Sequence, residues 1–178
     1  MIACAIPAIA FAGDRAPPEP EGYRTDIYRA PVPETLDGAV VVDTDAAFVL
    51  WYTGRVAFID VYPKPRKPAN LGDDALWIDP TRDSIPGAAW VPNVGFGKLP
   101  PDRDAGFRQT LSAMTGGDAG APVLFFCLED CWMSWNAAKR AMTEYGYTTV
   151  FWYPAGTDGW AASGHPLDDI AVPETYGG

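Results

Sequence analysis

The stretch VLFFCLEDCWMSWNAA, residues 123–138, decides how the rest of the chain is read. Val123, Leu124, Phe125 and Phe126 make an apolar run short enough for a buried strand, and it ends at Cys127. A short acidic loop carries Cys131, and Ser134 opens a helix-forming segment. Both thiols therefore fall where a strand hands over to a helix. The free N–H groups of a helix's first turn and the positive end of its dipole stabilise an anion, so a cysteine there is expected to ionise below the usual value of about 8.5. Glu129 and Asp130 between the thiols indicate a solvated loop. The competing reading is that one or both cysteines fill the core, because unoxidised Cys is among the most buried residue types.

With 178 residues the chain is long enough for one domain with a real core and too short for two comfortable ones. A net charge of -10 and a pI near 4.4 argue against nucleic acid or an anionic membrane surface as partners, since both repel an acidic protein. A basic partner stays open, and solubility alone also accounts for the charge. Met1 to Ala12, MIACAIPAIAFA, is uncharged and mostly apolar, ending in the small-x-small pattern Ala10, Phe11, Ala12 of a signal-peptide cleavage site. It is too short to span a bilayer and lacks the basic start of a complete signal peptide, so it reads as a remnant of one. Export with cleavage after Ala12 would remove Cys4 and leave Cys127 and Cys131 in an oxidising compartment, where a disulfide between them is a natural state.

Residues 13–38 are rich in Pro and Glu and read as an extended lead-in that docks its tyrosines on the body without building an element. The domain proper is expected over 39–167. Short apolar runs at Ala39 to Val42, Val56 to Val61, Ala89 to Val91, Val123 to Phe126 and Thr148 to Tyr153 read as strands. Helices are expected from a cap at Thr44 or Asp45 to about Tyr52, over Asp102 to Thr115, over Trp135 to Tyr145 and over Asp158 to Ser163. Tyr62 to Ser84 is a long polar excursion with Lys64, Arg66, Lys67 and Arg82, and 168–178 is an acidic surface tail. The alternation predicts an α/β fold: a mostly parallel sheet of about five strands with helices on both faces. In such sheets working residues collect outside the carboxyl ends of the strands, where Asp60, Cys127 and Cys131 all fall.

Four places together resemble the rhodanese-like (sulfurtransferase) domain. Phe58, Ile59, Asp60, Val61 is similar to the family's strand ending in an acidic residue, and Ile85, Pro86, Gly87, Ala88 to its I-P-G-A turn. Phe126 and Cys127 with the loop and helix that follow resemble the catalytic loop, and Gly146 through Pro166 the closing segment. More narrowly, Cys127 through Arg140 and Trp152 to Trp160 resemble the PQQ-dependent catabolism-associated CXXCW motif proteins, although three residues separate the cysteines here. That resemblance implies a periplasmic location and, as partners, a PQQ-dependent dehydrogenase or a c-type cytochrome. It also puts Cys127 at the position of the persulfide-carrying nucleophile.

The loop departs from the family pattern. Leu128, Glu129, Asp130, Cys131 and Trp132 replace small and basic residues, which opposes an anionic sulfur donor. Met133 stands where phosphatases of related fold carry an arginine, so phosphoryl transfer is disfavoured. A second thiol in the loop can resolve an oxidised or persulfidated Cys127 as a disulfide, with Cys127 attacking and Cys131 resolving. Asp60, Glu129, Asp130, Trp132 and Ser134 are the expected supporting loop and pocket residues, and Trp132, Trp135, Trp152 and Trp160 either frame a pocket or fill the core. His165 reads as a surface turn residue, and neither a metal set nor a cofactor motif is present. Two functions stay open: a sulfurtransferase or thiol–disulfide oxidoreductase meeting a thiol or sulfur donor, and a non-catalytic escort of a quinoprotein dehydrogenase or its cytochrome, stapled by a structural disulfide.

Overall fold

The computed structural model describes residues 16–65, 67, 68, 70–72, 74, 76, 78 and 81–171. The leader with Cys4, together with Arg66, Pro80 and 172–178, lies outside the described residues. In chain order the elements are β1 (Val40–Val41), α1 (Thr44–Thr53), β2 (Ala57–Asp60), β3 (Arg82–Ser84), β4 (Ala89–Trp90), α2 (Pro101–Thr115), β5 (Val123–Phe126), α3 (Trp132–Thr143), β6 (Val150–Tyr153), α4 (Gly156–Ala162) and β7 (Asp168–Ile170). Five strands form one sheet in the order β1-β6-β5-β2-β4 with every pairing parallel, the α/β architecture that the strand–helix alternation predicts.

The central strand shows why both faces are covered. All four residues of β5 are fully buried, and successive side chains point to opposite faces of a pleated strand. Val123 and Phe125 join Phe107, Leu111, Trp135 and Trp152 in one core with α2 and α3. Leu124 and Phe126 join Phe58, Tyr153, Trp160 and Ala47 in the other, against α1 and α4. A parallel strand buried on both faces reads as an unbroken apolar run, which is what VLFF is.

Local signals mark most helix ends. Asp43, one residue before the expected cap, accepts the amide of Ala46 at 2.9 Å, and Gly54 stops α1 in the left-handed region. Pro101 opens α2, and Gly116 closes it at φ 63°. Helix α3 begins at Trp132, ahead of the expected Ser134 or Trp135, because Asp130 at φ 51° reverses the chain and leaves Cys131 extended at the N-cap. Asp and Asn are the side chains best suited to that left-handed turn.

Two segments differ from the sequence reading. Arg82–Ser84, the end of the polar excursion, and Asp168–Ile170, the start of the expected tail, pair antiparallel as β3 and β7. Arg82–Ser84 is polar throughout and Asp168–Ile170 opens with two acids, so neither alternates and periodicity gave no strand signal; the pairing comes from tertiary placement. Among the described residues no helix is long and apolar enough to cross a membrane.

Candidate functional site: a buried thiol pair

Cys127 continues the alternation of β5, since after Val123 and Phe125 the next side chain toward the α2/α3 core is its thiol. It is 0% exposed, and Cys131 is 3% exposed. The expectation of thiols in a solvated loop is corrected: Glu129 and Asp130 face water, while register turns the flanking sulfurs inward. The pair consists of free thiols that hydrogen-bond to each other.

The two sulfurs ionise differently. Burial, then the bond to Cys131 and the nearby charges, pushes the Cys127 thiol well up. Cys131 is pulled down to about 7, chiefly by the hydrogen bond it accepts from Cys127, against its own desolvation. The amides of Met133 and Leu128 and the positive charge of Arg29 add to that. The helix start thus favours the thiolate as expected, but only at Cys131, the residue that occupies the N-cap.

Asp60 ends β2 beside β5 and is completely buried. A bare carboxylate there would be costly, and the fold supplies three donors: Arg82 Nε at 2.9 Å, Ser84 Oγ at 2.7 Å and the amide of Tyr62 at 2.9 Å. Burial raises its pKa, while Arg82, Ser84 and the Tyr62 amide pull it back. Arg82 also lies over the Tyr62 ring, 4.4 Å from its centroid, and donates to Thr157 Oγ1 at 3.0 Å and to the carbonyl of Cys127 at 3.4 Å. One guanidinium therefore ties the end of β2 to the thiol loop and to α4.

Helix α4 grips the loop from the same side. Thr157 donates its amide to the Cys127 carbonyl at 3.0 Å, and the amide of Glu129 donates to Asp158 Oδ2 at 3.1 Å. A Cβ on Gly156 would lie 2.4 Å from the Cys127 carbonyl oxygen, so the close approach requires glycine. Ser134 donates to the Cys131 carbonyl at 3.2 Å and accepts from Trp152 Nε1 at 3.0 Å, which anchors the first turn of α3 to β6. The four tryptophans are core residues, none more than 3% exposed, and Trp160 packs on the opposite sheet face from the cysteines. Trp132, Trp135 and Trp152 share the α2/α3 core, and Trp160 lies across the sheet from them.

The lead-in covers the loop from outside. The Trp132 amide donates to the Tyr28 carbonyl at 2.9 Å, the Ala30 amide to the Asp130 carbonyl at 3.0 Å, and Trp132 Nε1 to the Pro31 carbonyl at 3.1 Å. Arg29 and Cys131 are antiparallel bridge partners. Farther along, Tyr23 Oη hydrogen-bonds to Glu144 Oε1, and Tyr28 Oη accepts the amide of Gly97 at 3.2 Å. His165 stacks on Phe48 with ring centroids 4.4 Å apart, remote in the fold from the sulfurs. Among the described residues no group of three or more metal-ligating side chains exists.

Sequence reasoning missed Arg82, Thr157, Asp158 and the Tyr28 to Pro31 cover. Arg82 had a usable signal, since a carboxylate at the end of a buried strand needs a cation and Arg82 lies three residues before the I-P-G-A turn. No protein-family model matches the chain, and no curated protein matches it. Among solved structures, the polysulfide-sulfur transferase homodimer of Wolinella succinogenes is 21% identical over 77% of this chain and 83% of that one, with a TM-score of 0.43. An uncharacterised protein from Saccharomyces cerevisiae is 19% identical, covering 71% of this chain and 93% of its own, at 0.42. A double cysteine-to-alanine variant of EanB in complex with hercynine is 18% identical, and the match covers 81% of this chain and only 34% of that one, at 0.50. At this identity the last match, at 0.50, is a likeness of fold alone.

Proposed function

We propose that the protein performs thiol–disulfide exchange or sulfur transfer at the Cys127/Cys131 pair. One observation carries this reading: two free, buried thiols share one core cluster at the carboxyl end of the central strand, and Cys131 at the helix start is drawn down to about 7. A thiol with that pKa is half thiolate at neutral pH, near the optimum for an attacking sulfur. Cys131 is then the attacking group and Cys127 the resolving one, the reverse of the roles that the rhodanese position implies. Their 0% and 3% exposure requires the loop to open before an outside sulfur can react.

Export to the periplasm and service to a PQQ-dependent dehydrogenase or its c-type cytochrome belong to the same proposal; they rest on the leader-like start and the CXXCW resemblance. The burial of both sulfurs favours one rival, a non-catalytic escort whose cysteines only support the fold. The deciding measurement is the reduction potential of the pair in thiol–disulfide buffers: an exchanging pair lies well above about -300 mV, and a structural disulfide lies below it. A value below that line, with no persulfide formed from a polysulfide donor, would leave the escort standing. Purifying the expressed protein from the periplasmic fraction and weighing it tests export, cleavage after Ala12 being the expected result.

A further inference from the structure

The cover over Cys131 has the form of a bound peptide. Tyr28, Ala30 and Val32 pack inward on the α2/α3 core while Arg29 and Pro31 face solvent, the alternation of an extended strand. Its backbone is read on both sides of Arg29, through the Tyr28 carbonyl and the Ala30 amide. Opposed residues of an antiparallel pair project to the same face with Cβ atoms about 4.5–5.5 Å apart. Arg29 is thus the residue opposite Cys131 across this backbone pairing, and its charge acts on the Cys131 sulfur. Exposed Glu129 and Asp130 adjoin the place and complement a basic segment.

We propose that the backbone around Cys131 is a binding site for an extended, basic polypeptide carrying a disulfide, and that Tyr28 to Pro31 occupies it in cis. The inference rests on the thiol-exchange reading and names its substrate class. Strand addition to exposed backbone is a general mode of peptide recognition, with the main chain supplying affinity and alternate side chains specificity. When the strap peels away, an incoming segment pairs with Asp130 and Trp132 and sets its own cysteine where Arg29 stood. The Cys131 thiolate attacks that sulfur, and the other half of the substrate disulfide leaves as a thiolate. Cys127 then gives up its proton and attacks the Cys131 sulfur; the peptide leaves as a thiolate and takes up that proton. The substrate disulfide is reduced by two electrons, and the pair is oxidised to a disulfide.

The test uses a synthetic peptide of residues 24–33 with Asp26→Asn and Arg29→Cys, which keeps it basic through Arg24, activated as its thionitrobenzoate disulfide, against a scrambled peptide of the same composition. Release of the coloured thiolate is followed with the full-length wild type and with Ala30→Pro, which removes the amide given to Asp130. One hydrogen bond is worth a factor of about 2 to 10 in an opening equilibrium, so the variant is expected to react faster than wild type by that factor. In both proteins the ordered peptide should outrun the scrambled one. Arg29→Glu, which sets a third carboxylate beside Glu129 and Asp130, loosens the strap without touching the backbone, and the ratio of the two peptides within that variant cancels any change in thiol reactivity. Equal rates for the two peptides overturn the peptide site, even if Cys127 still resolves the adduct and the exchange reading survives. A strong preference for the ordered peptide with an adduct that Cys127 never resolves upholds the site and removes the exchange reading.

Discussion

Replacing Arg82 with Met should reveal how much the end of β2 depends on one guanidinium. The substitution keeps a long apolar stem over the Tyr62 ring and deletes the 2.9 Å ion pair with Asp60, whose side chain is 0% exposed against 11% for Arg82. Removing one partner of a buried pair typically costs about 3–5 kcal/mol, because the other charge is left uncompensated. Ser84 and the Tyr62 amide still hold the carboxylate, which places the expected loss near the lower figure, about 3 kcal/mol at pH 7. The pH dependence gives an independent check. Burial already raises the Asp60 pKa and Arg82 opposes it, so the variant's folded-state pKa climbs further. A carboxyl with a raised folded pKa favours folding while protonated and loses that favour as pH rises through the folded value. The deficit should therefore be largest at pH 8 and shrink toward pH 5. Urea unfolding across that range, followed by the fluorescence of the buried tryptophans, measures it. A deficit under about 1 kcal/mol, or one that does not change with pH, would refute the uncompensated-charge account.

Three further outcomes are expected. Far-ultraviolet thiolate absorbance should titrate with a midpoint near 7 in wild type and disappear from that range in Cys131→Ser. Because the Cys131 folded pKa is depressed, stability should rise as pH goes from about 7 toward 9, by at most about 3 kcal/mol, and Cys131→Ser should flatten the rise. Gly156→Ala, whose Cβ meets the Cys127 carbonyl at φ 53°, should cost about 2–4 kcal/mol in chemical unfolding, whereas Gly164→Ala, at φ 78° with open space around it, should cost only about 1.

What could be read in advance was what local chemistry dictates. VLFF, the glycine after α1 and the glycines after α2 speak for themselves, because apolar runs and caps are properties of a few adjacent residues. The thiol pair and Asp60 were legible as positions at strand ends. Their burial was not: the exposed Glu129 and Asp130 pointed to water, and only the register of β5 shows that Cys127 faces the core. The lead-in was expected to dock its tyrosines on the body, but that Tyr28 to Pro31 closes over the thiols was beyond reach for a similar reason. Tyr28 to Pro31 has no propensity of its own and becomes ordered through backbone groups offered by residues 130–132, a hundred positions away. Thr157 likewise acquires meaning only when the fold brings it, with Arg82, onto the Cys127 carbonyl.

The sheet ends in two very short strands, Val40–Val41 on one side and Ala89–Trp90 on the other. Each presents little unpaired ladder, and long free borders are what recruit neighbouring chains into fibres or swapped assemblies.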